Sequence, residues 1–458
     1  MSSDSEDEQD GDSKAPLSSI TDEDEETESE PQSARSDVGE KDVAFTSRGK
    51  QELTVGLRAS ARPSNPRTTS KVSVKPTITQ HARWSTLPRD VKAYLKYHSE
   101  SMSYHHYGFK YDAGDFLKTT FLEIAIIDEN HALLYGIVAF AAYHHAFSHQ
   151  EDISRFLQFY NKSITLLQQA LQRKRHTVST LLTILQLATI EEFLGDWTNL
   201  LGHQRAAHQL LTNTFAPENI MRNETTRRII SWYLRFDLFA GLMAGSETQL
   251  GREWFAACAD FYSARANDRP DDLGARFENY FSVVRLMATD ITLLFAAKKK
   301  GSVSDADFSR QVQEIHREIS ATQHELETAF TDASCFVKTF PNAPPPSADD
   351  ITDYREPGFL YGGELFTMNF VLIDFLAVDL TFKLNIANAQ QQPPPPELSI
   401  IALRKCKIFE AIQYYDHGPP GALLGCQASL GIASLCVPQD QKHIDWCRRK
   451  FASIEQLG

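Results

Sequence analysis

The chain has 458 residues, of which 42% are hydrophobic and 10% aromatic, and its formal net charge is −14. This composition is typical of a globular protein, and the length allows one large core or two smaller ones. The longest apolar stretches, 133–142 and 368–378, are too short or too interrupted by charge to cross a bilayer, and the acidic N-terminus excludes a secretory signal peptide. We therefore expect an intracellular protein without a membrane-spanning segment.

The negative charge is concentrated at the N-terminus. Residues 1–30 contain thirteen Asp or Glu and one Lys, so the rest of the chain is close to neutral. Residues 43–86 contain eight Lys or Arg and a single acidic residue, Glu52. Apolar residues are sparse and aperiodic in both segments, which is typical of disorder. We predict an acidic disordered tail over 1–42, a basic Ser/Thr/Pro-rich disordered linker over 43–86 and a folded region over 87–456.

Helical periodicity begins near Leu87. Pro88 suits the first turn of a helix, and apolar residues then recur at helical spacing up to Met102. The same spacing predicts further helices at 116–127, 133–145, 153–171, 177–194, 197–213, 225–243, 275–297, 305–330, 360–385, 399–414 and 440–455. No comparable run alternates apolar and polar residues. We therefore predict an all-α fold, a large multi-helix domain of antiparallel helical hairpins, with proline-rich loops near 341–350 and 390–396.

Histidine and cysteine are the first candidates for metal ligands. His145 and His149 lie four residues apart, which places both rings on one helix face as a metal site requires. Neither an HExxH pattern nor a partner carboxylate is evident near them, or near the pairs His105-His106 and His144-His145. The six cysteines are widely spaced and several lie among apolar residues, which predicts reduced core side chains. We predict no metal site and no cofactor.

Asp271 and Asp272 are the next candidates, because adjacent aspartates bind magnesium in all-helical isoprenoid synthases. The third Asp of that motif and a second metal-binding motif downstream are both missing from the sequence. Asp271 follows Pro270, so a turn with a helix N-cap explains the pair well. Residues 418–425 are rich in Gly but lack the Lys-Ser or Lys-Thr of a phosphate loop. We therefore predict no catalytic residue.

Residues 232–245 form an apolar helical stretch that two charged residues, Arg235 and Asp237, interrupt. Residues two apart face different directions on a helix, so each is expected to need its own partner in the interior. Small residues around Gly241 would let another helix pack closely. Trp197 and Gly202 are similarly typical of a tightly packed helical hairpin. We predict a buried structural network in this region, not a ligand site.

Two segments together carry a family resemblance. Residues 181–211, with the core Ile190-Glu-Glu-Phe-Leu-Gly-Asp-Trp197, and the stretch Arg235-Phe-Asp-Leu-Phe-Ala-Gly-Leu242 resemble the fungal-specific transcription factor domain. This domain is the helical regulatory region found downstream of binuclear zinc-cluster DNA-binding modules. The resemblance extends over roughly residues 87–456. The residues that carry it are predicted to be structural: Glu191, Glu192, Asp196, Trp197, Gly202, Arg235, Asp237 and Gly241.

The zinc cluster of that family is missing from this sequence. It packs six cysteines into about thirty residues near the N-terminus, whereas the first cysteine here is Cys258. The basic segment 43–86 alone would give only salt-sensitive, nonspecific contact with DNA. We therefore predict no zinc cluster and no direct sequence-specific DNA contact. A longer gene product that carries the missing module would give the same sequence over these residues.

The resemblance implies a transcription regulator in the nucleus. It would act as a homodimer, as a heterodimer with a zinc-cluster transcription factor, or by sensing a small-molecule effector in a helix-lined pocket. Acidic segments commonly serve as interaction tails, so the tail would contact the transcription machinery. Two alternatives stay open: an all-α enzyme resembling isoprenoid synthases, and a helical scaffold unrelated to transcription.

Overall fold

The computed structural model describes residues 78–457, except 113, 174, 175, 245 and 246. The predicted acidic tail and most of the basic linker lie outside the described residues. The end of the linker forms two short 3-10 helices, Ile78–Gln80 and Ala82–Thr86, and the Arg83 guanidinium donates a hydrogen bond to the Ile127 carbonyl at 2.6 Å. The described helical structure therefore begins before Leu87, where the sequence predicts it to start.

The described part of the chain contains fifteen α-helices and no β-strand. Phe336 and Tyr361 form one isolated antiparallel bridge. The predicted all-α fold is thereby confirmed. The helices are α1 Arg89–Ser101, α2 Thr120–Ile127, α3 Ala132–His149, α4 Ser154–Leu171, α5 Val178–Leu194, α6 Trp197–Thr214, α7 Pro217–Ile220, α8 Glu224–Ala244, α9 Arg252–Asp268, α10 Leu273–Lys299, α11 Asp305–Thr328, α12 Met368–Ala389, α13 Glu397–Gln413, α14 Gln427–Ser434 and α15 Gln441–Glu455.

Side-chain caps fix the first residue of several helices. Thr177, Asp196, Asp272, Ser304 and Asp440 each accept a backbone N–H from the first turn of α5, α6, α10, α11 and α15, respectively. Such caps satisfy amide groups that have no partner within the helix itself. The short polar residues between the apolar segments therefore determine where these helices start.

Helices α9 and α12 differ from the sequence prediction. Helix α9 was not predicted, although Trp254, Phe255 and Tyr262 on it are buried, because alanines and polar residues dilute its apolar pattern. Helix α12 begins at Met368 and not at 360, because Gly363 adopts a φ of +55° that ends any regular helix there. Leu360, Tyr361, Leu365 and Phe366 instead pack into the core from the segment before the helix.

The core consists of two hydrophobic clusters within residues 87–454. The first is built mainly by α1 to α9 around large buried side chains such as Phe140 and Trp232. The second is built by α10 to α15 around Phe370 and Trp446. Consecutive helices pack as pairs, with α3 on α4, α5 on α6, α9 on α10 and α12 on α13. Because α10 contacts α8 and α9 as well as α11 and α12, it joins the two clusters.

Two helical segments are long and apolar enough to cross a membrane, Leu273–Lys299 and Gly363–Ala389. In the second segment 89% of the most apolar window is buried inside the fold, and in the first 44% is buried. Helix α12 is thus a central core helix. Helix α10 packs against four other helices, and its apolar residues cover both clusters.

Asn369, in the first turn of α12, holds the loop that precedes this helix. Its side chain is fully buried. The Oδ1 atom accepts the Tyr361 N–H at 3.0 Å, and the Nδ2 atom donates to the Tyr361 and Phe366 carbonyls at 2.9 Å each. One side chain therefore satisfies three backbone groups that are shielded from water.

Replacing Asn369 with Ala should lower the free energy of unfolding by about 3 kcal/mol, because three buried backbone groups lose their partners. Urea denaturation followed by circular dichroism measures this change. Asn388→Ala, at an exposed position near the end of the same helix, is the matched control and should stay within about 0.5 kcal/mol of the wild type. Equal stability of the two variants would contradict the role assigned to Asn369.

Candidate functional site

The residues that carry the family resemblance meet where the end of α5, the start of α6 and the middle of α8 come together. We call this the polar junction and define it by the charged residues Glu191, Glu192, Asp196, Arg235 and Asp237. Helix α5 ends at Gly195, whose φ of +68° turns the chain directly into α6. Glu191 and Glu192 consequently lie in the last turn of α5 and beside the first two turns of α6.

Glu191 is fully buried and joins three helices. Its Oε1 accepts the Tyr160 hydroxyl of α4 at 2.9 Å, and its Oε2 lies 2.7 Å from His203 Nδ1 of α6. Burial, followed by the charge of Glu191, raises the pKa of Tyr160, so its hydroxyl remains a donor. A buried carboxylate is tolerated because both of its oxygens have partners.

Glu192 and Arg235 form a bidentate ion pair between α5 and α8. The two nitrogens Nη1 and Nη2 lie 2.9 and 2.8 Å from the two carboxylate oxygens, and each side chain is about one quarter exposed. The guanidinium also lies over the Phe236 ring, 4.2 Å from its centroid. The guanidinium also lies against Gly108, where a Cβ atom would collide with it and where φ is +69°. These contacts therefore hold the Arg235 guanidinium in one position.

Asp237 points in a different direction from Arg235 and is 1% exposed. It accepts hydrogen bonds from Gln204 Nε2 of α6 at 3.1 Å and from the backbone N–H groups of Gln249 and Leu250 at 2.8 and 2.9 Å. Burial raises the pKa of Asp237, and these three hydrogen bonds oppose that rise. The side chain thereby holds the segment after α8 against the helix.

The remaining signature residues have weaker or no contacts across the junction. Asp196 caps α6 by accepting the Asn199 N–H at 3.1 Å. Trp197 is 47% exposed, with its ring 5.7 Å from Phe239. Gly202 faces open space, since a Cβ atom there would meet nothing within 4 Å. The expectation that Gly202 allows a close helix approach is therefore wrong. Gly241 is buried on α8.

The candidate metal ligands are used in other ways. The His145 and His149 rings stack at 4.3 Å, while His149 Nδ1 bonds to the His145 carbonyl at 2.8 Å. The His145 Nδ1 atom also lies 3.3 Å from the Glu151 Oε2 atom. Within residues 78–457, as far as they are described, no group of three or more His, Cys, Asp or Glu side chains is arranged to hold a metal ion.

The aspartate pair before α10 acts as a helix cap. Asp272 accepts the Ala275 N–H at 3.1 Å, which agrees with the N-cap predicted for this turn. A capping carboxylate accepts a hydrogen bond from the first turn of the helix. Its negative charge also interacts favourably with the positive N-terminal end of the helix dipole. The feature on which the isoprenoid-synthase alternative rested thus has a structural role.

Three histidines near the start of the fold are buried: His98, His105 and His106. His98 Nε2 bonds to the Tyr107 hydroxyl at 2.7 Å. Both ring nitrogens of His105 lack a hydrogen-bond partner among the described residues, and this ring packs 4.8 Å from Phe370. Burial lowers the pKa of His98 and His105 to about 3 and that of His106 to about 4.

Every charged group of the polar junction is therefore engaged in a contact within the fold. The arrangement joins α4, α5, α6 and α8. Sequence reasoning identified Glu191, Arg235 and Asp237 but not Tyr160, which reaches the junction only through packing of α4. That these residues are structural stays a prediction, which substitutions test.

Arg235→Lys should destabilise the protein by about 1–2 kcal/mol, because an ammonium group keeps the charge but loses the bidentate geometry and the stacking on Phe236. Thermal and urea unfolding measure the loss. The matched control is Arg310→Lys on α11, where the ion pairs with Asp307 and Glu314 are exposed and the effect should be below about 0.5 kcal/mol. Similar small effects in both variants would show that the geometry of Arg235 is unimportant.

Acid should weaken the fold through the buried histidines. Their pKa values in the folded state lie below the unfolded value of about 6.5. Their contribution to the free energy of unfolding is therefore complete above that pH and declines as the pH falls towards about 4. Each histidine adds at most about 1.4 kcal/mol per pH unit to this decline. His105→Phe should reduce the slope of the unfolding free energy against pH by up to that amount. Urea unfolding between pH 7.5 and 5 measures this slope. His324→Phe, at an exposed position on α11, should leave the slope unchanged, and equal slopes in both variants would refute the assignment.

The comparison with known families covers the segment that contains the junction. The family described as "Fungal specific transcription factor domain" matches residues 96–336. No curated protein and no solved structure matches the chain. The matched segment is more than half of the 458 residues, runs from within α1 past the end of α11 and includes the whole polar junction. The chain therefore belongs to the fungal-specific transcription factor domain family.

Proposed function

We propose that the chain regulates transcription in the nucleus and acts through a protein partner or a small-molecule effector. The observation that carries this proposal is the family match over residues 96–336. The polar junction supports it as well, because its charged groups hold helices together and are not arranged around a reacting group. A regulatory domain needs such a defined helical body to present surfaces and pockets.

A second protein would supply sequence-specific DNA contact. The closely spaced cysteines of a zinc cluster do not occur in these 458 residues. Cys258, Cys406 and Cys426 are almost completely buried, and burial raises the pKa of their thiols, so that they behave as core side chains and not as metal-binding thiolates. We infer recruitment by a zinc-cluster relative, as a heterodimer, with regulation through the helical body.

Chromatin occupancy of the tagged protein tests the proposal, in cells with and without the most similar zinc-cluster protein. We expect occupancy at discrete promoters that disappears when the relative is deleted, because the relative reads the DNA. Occupancy that persists without the relative would overturn recruitment by that partner. A tag that stays outside the nucleus and gives no chromatin signal would instead favour the scaffold alternative. A chain shortened to residues 43–458 is a useful control, because it separates recruitment from any effect of the acidic tail.

A further inference from the structure

A cleft of about 140 Å³ lies between the first turn of α8, the end of α9 and the first turn of α10. It is separate from the polar junction. Three arginines line it: Arg227 and Arg228 from α8, and Arg265 from α9. We call it the arginine cleft. Because α9 belongs to the first hydrophobic cluster and α10 to the second, the cleft lies where the two clusters meet.

The three arginines differ in how their charge is neutralised. Arg228 donates to Glu278 of α10 at 2.6 Å, and both side chains are buried. Arg227 donates to the Met221 carbonyl at 2.9 Å and has no ion pair with any described residue. Arg265 makes no side-chain hydrogen bond or ion pair within the part of the chain that the structure describes, although it is only partly exposed. Two guanidinium groups therefore lack a carboxylate partner.

Three carboxylates also line the cleft, so its formal charges balance, but two of the three are engaged in other contacts. Glu278 is engaged by Arg228, and Asp272 is engaged by the N-terminus of α10. Glu224 remains, at an exposed position in the first turn of α8. Burial lowers the pKa of Arg227, and the positive charges of Arg265 and Arg228 lower it further. Like charges held together in a partly desolvated cleft favour an anion between them.

Two tyrosine hydroxyls face the same space. The Tyr262 side chain is 3% exposed and lines the cleft, and its hydroxyl makes no hydrogen bond to another described residue. Its oxygen lies within electrostatic range of Arg227 and Arg228. Tyr111 enters from the loop before α2, and its hydroxyl lies where a Cβ atom on Gly274 would be. The Tyr262 hydroxyl and the guanidinium groups of Arg227 and Arg265, which have no carboxylate partner, thus line one cleft beside the start of α10.

We propose that the arginine cleft binds a small oxyanion of phosphate size. A volume of about 140 Å³ is below the roughly 300 Å³ of sites for drug-sized ligands, so it holds one phosphate group and not a whole metabolite. Guanidinium groups bind the oxygens of phosphate through paired hydrogen bonds. The group is either free inorganic phosphate or the terminal phosphate of a larger molecule whose remainder lies outside the cleft.

Binding there would link α8, α9 and α10, and hence the two clusters of the core. The regulatory meaning of the site rests on the proposed function, in which this anion or its parent molecule is the effector. Helix α8 connects the two sites directly, since Arg228 lies at the cleft and Arg235, about two turns further on, lies at the polar junction. The bound anion would stabilise one placement of α8 against α10.

Isothermal titration calorimetry and thermal unfolding of the purified full chain test the proposal. The probes are inorganic phosphate and glycerol phosphate, in a chloride buffer of constant ionic strength. We expect saturable binding to one site and a rise in the unfolding temperature. Arg265→Gln should weaken binding about tenfold or more, as is typical for loss of a charge-assisted hydrogen bond. Tyr262→Phe keeps the ring and the packing and should weaken binding by a smaller factor.

Arg269→Gln is the matched control, because Arg269 lies four residues after Arg265, is exposed and does not line the cleft. It should bind the probes like the wild type. Tighter binding of glycerol phosphate than of inorganic phosphate would identify the terminal group of a larger molecule, and the reverse order would identify the free ion. Either result supports the site.

Lack of saturable binding to the wild type, or an equal loss in Arg265→Gln and Arg269→Gln, would overturn the site. The assay uses purified protein, so it is independent of transcription. Phosphate binding without chromatin occupancy would reject the proposed function and keep the site, whereas occupancy without binding would reject the site and keep the function.

Discussion

The fold depends on the burial of charged side chains along helix α8. An isolated charge inside a protein is strongly unfavourable, so each must find a partner from another element. Arg228 meets Glu278 of α10, Arg235 meets Glu192 of α5, and Asp237 meets Gln204 of α6 together with backbone amides of the segment before α9. Successive turns of one helix are therefore tied to different neighbours, and the position of α8 along its axis is determined by these pairs.

Hydrophobic burial supplies most of the stabilising free energy, but it is not directional. The two core clusters would tolerate a shift of one helix past another more readily than the charged pairs would. Helix α10 links this arrangement to the second half of the chain, because its Glu278 pairs with Arg228 and the helix also packs on α12. The polar junction and the arginine cleft thus both depend on the position of α8.

Much of this organisation follows from the sequence, and the rest does not for physical reasons. Periodicity predicts most helices, and the position of Arg235 and Asp237 in an apolar stretch indicates that each needs a separate partner. Their partners could not be named, because Glu192 lies 43 residues from Arg235 and only the packing of α5 on α8 brings them together. The arginine cleft was missed entirely. Helix α9, which carries Tyr262 and Arg265, has a diluted apolar pattern, and an arginine on an amphipathic helix carries no signal of its own.

The family match ends at residue 336, yet the fold does not. Helix α12 covers one side of α10, where for example Phe295 and Phe382 have their ring centroids 6.4 Å apart. A protein that stopped at the end of the matched segment would expose that side of α10 to water and would tend to aggregate. The last four helices are therefore part of the folded unit although the family match does not reach them. They are not free to be lost, unless another chain replaces them as the cover of α10.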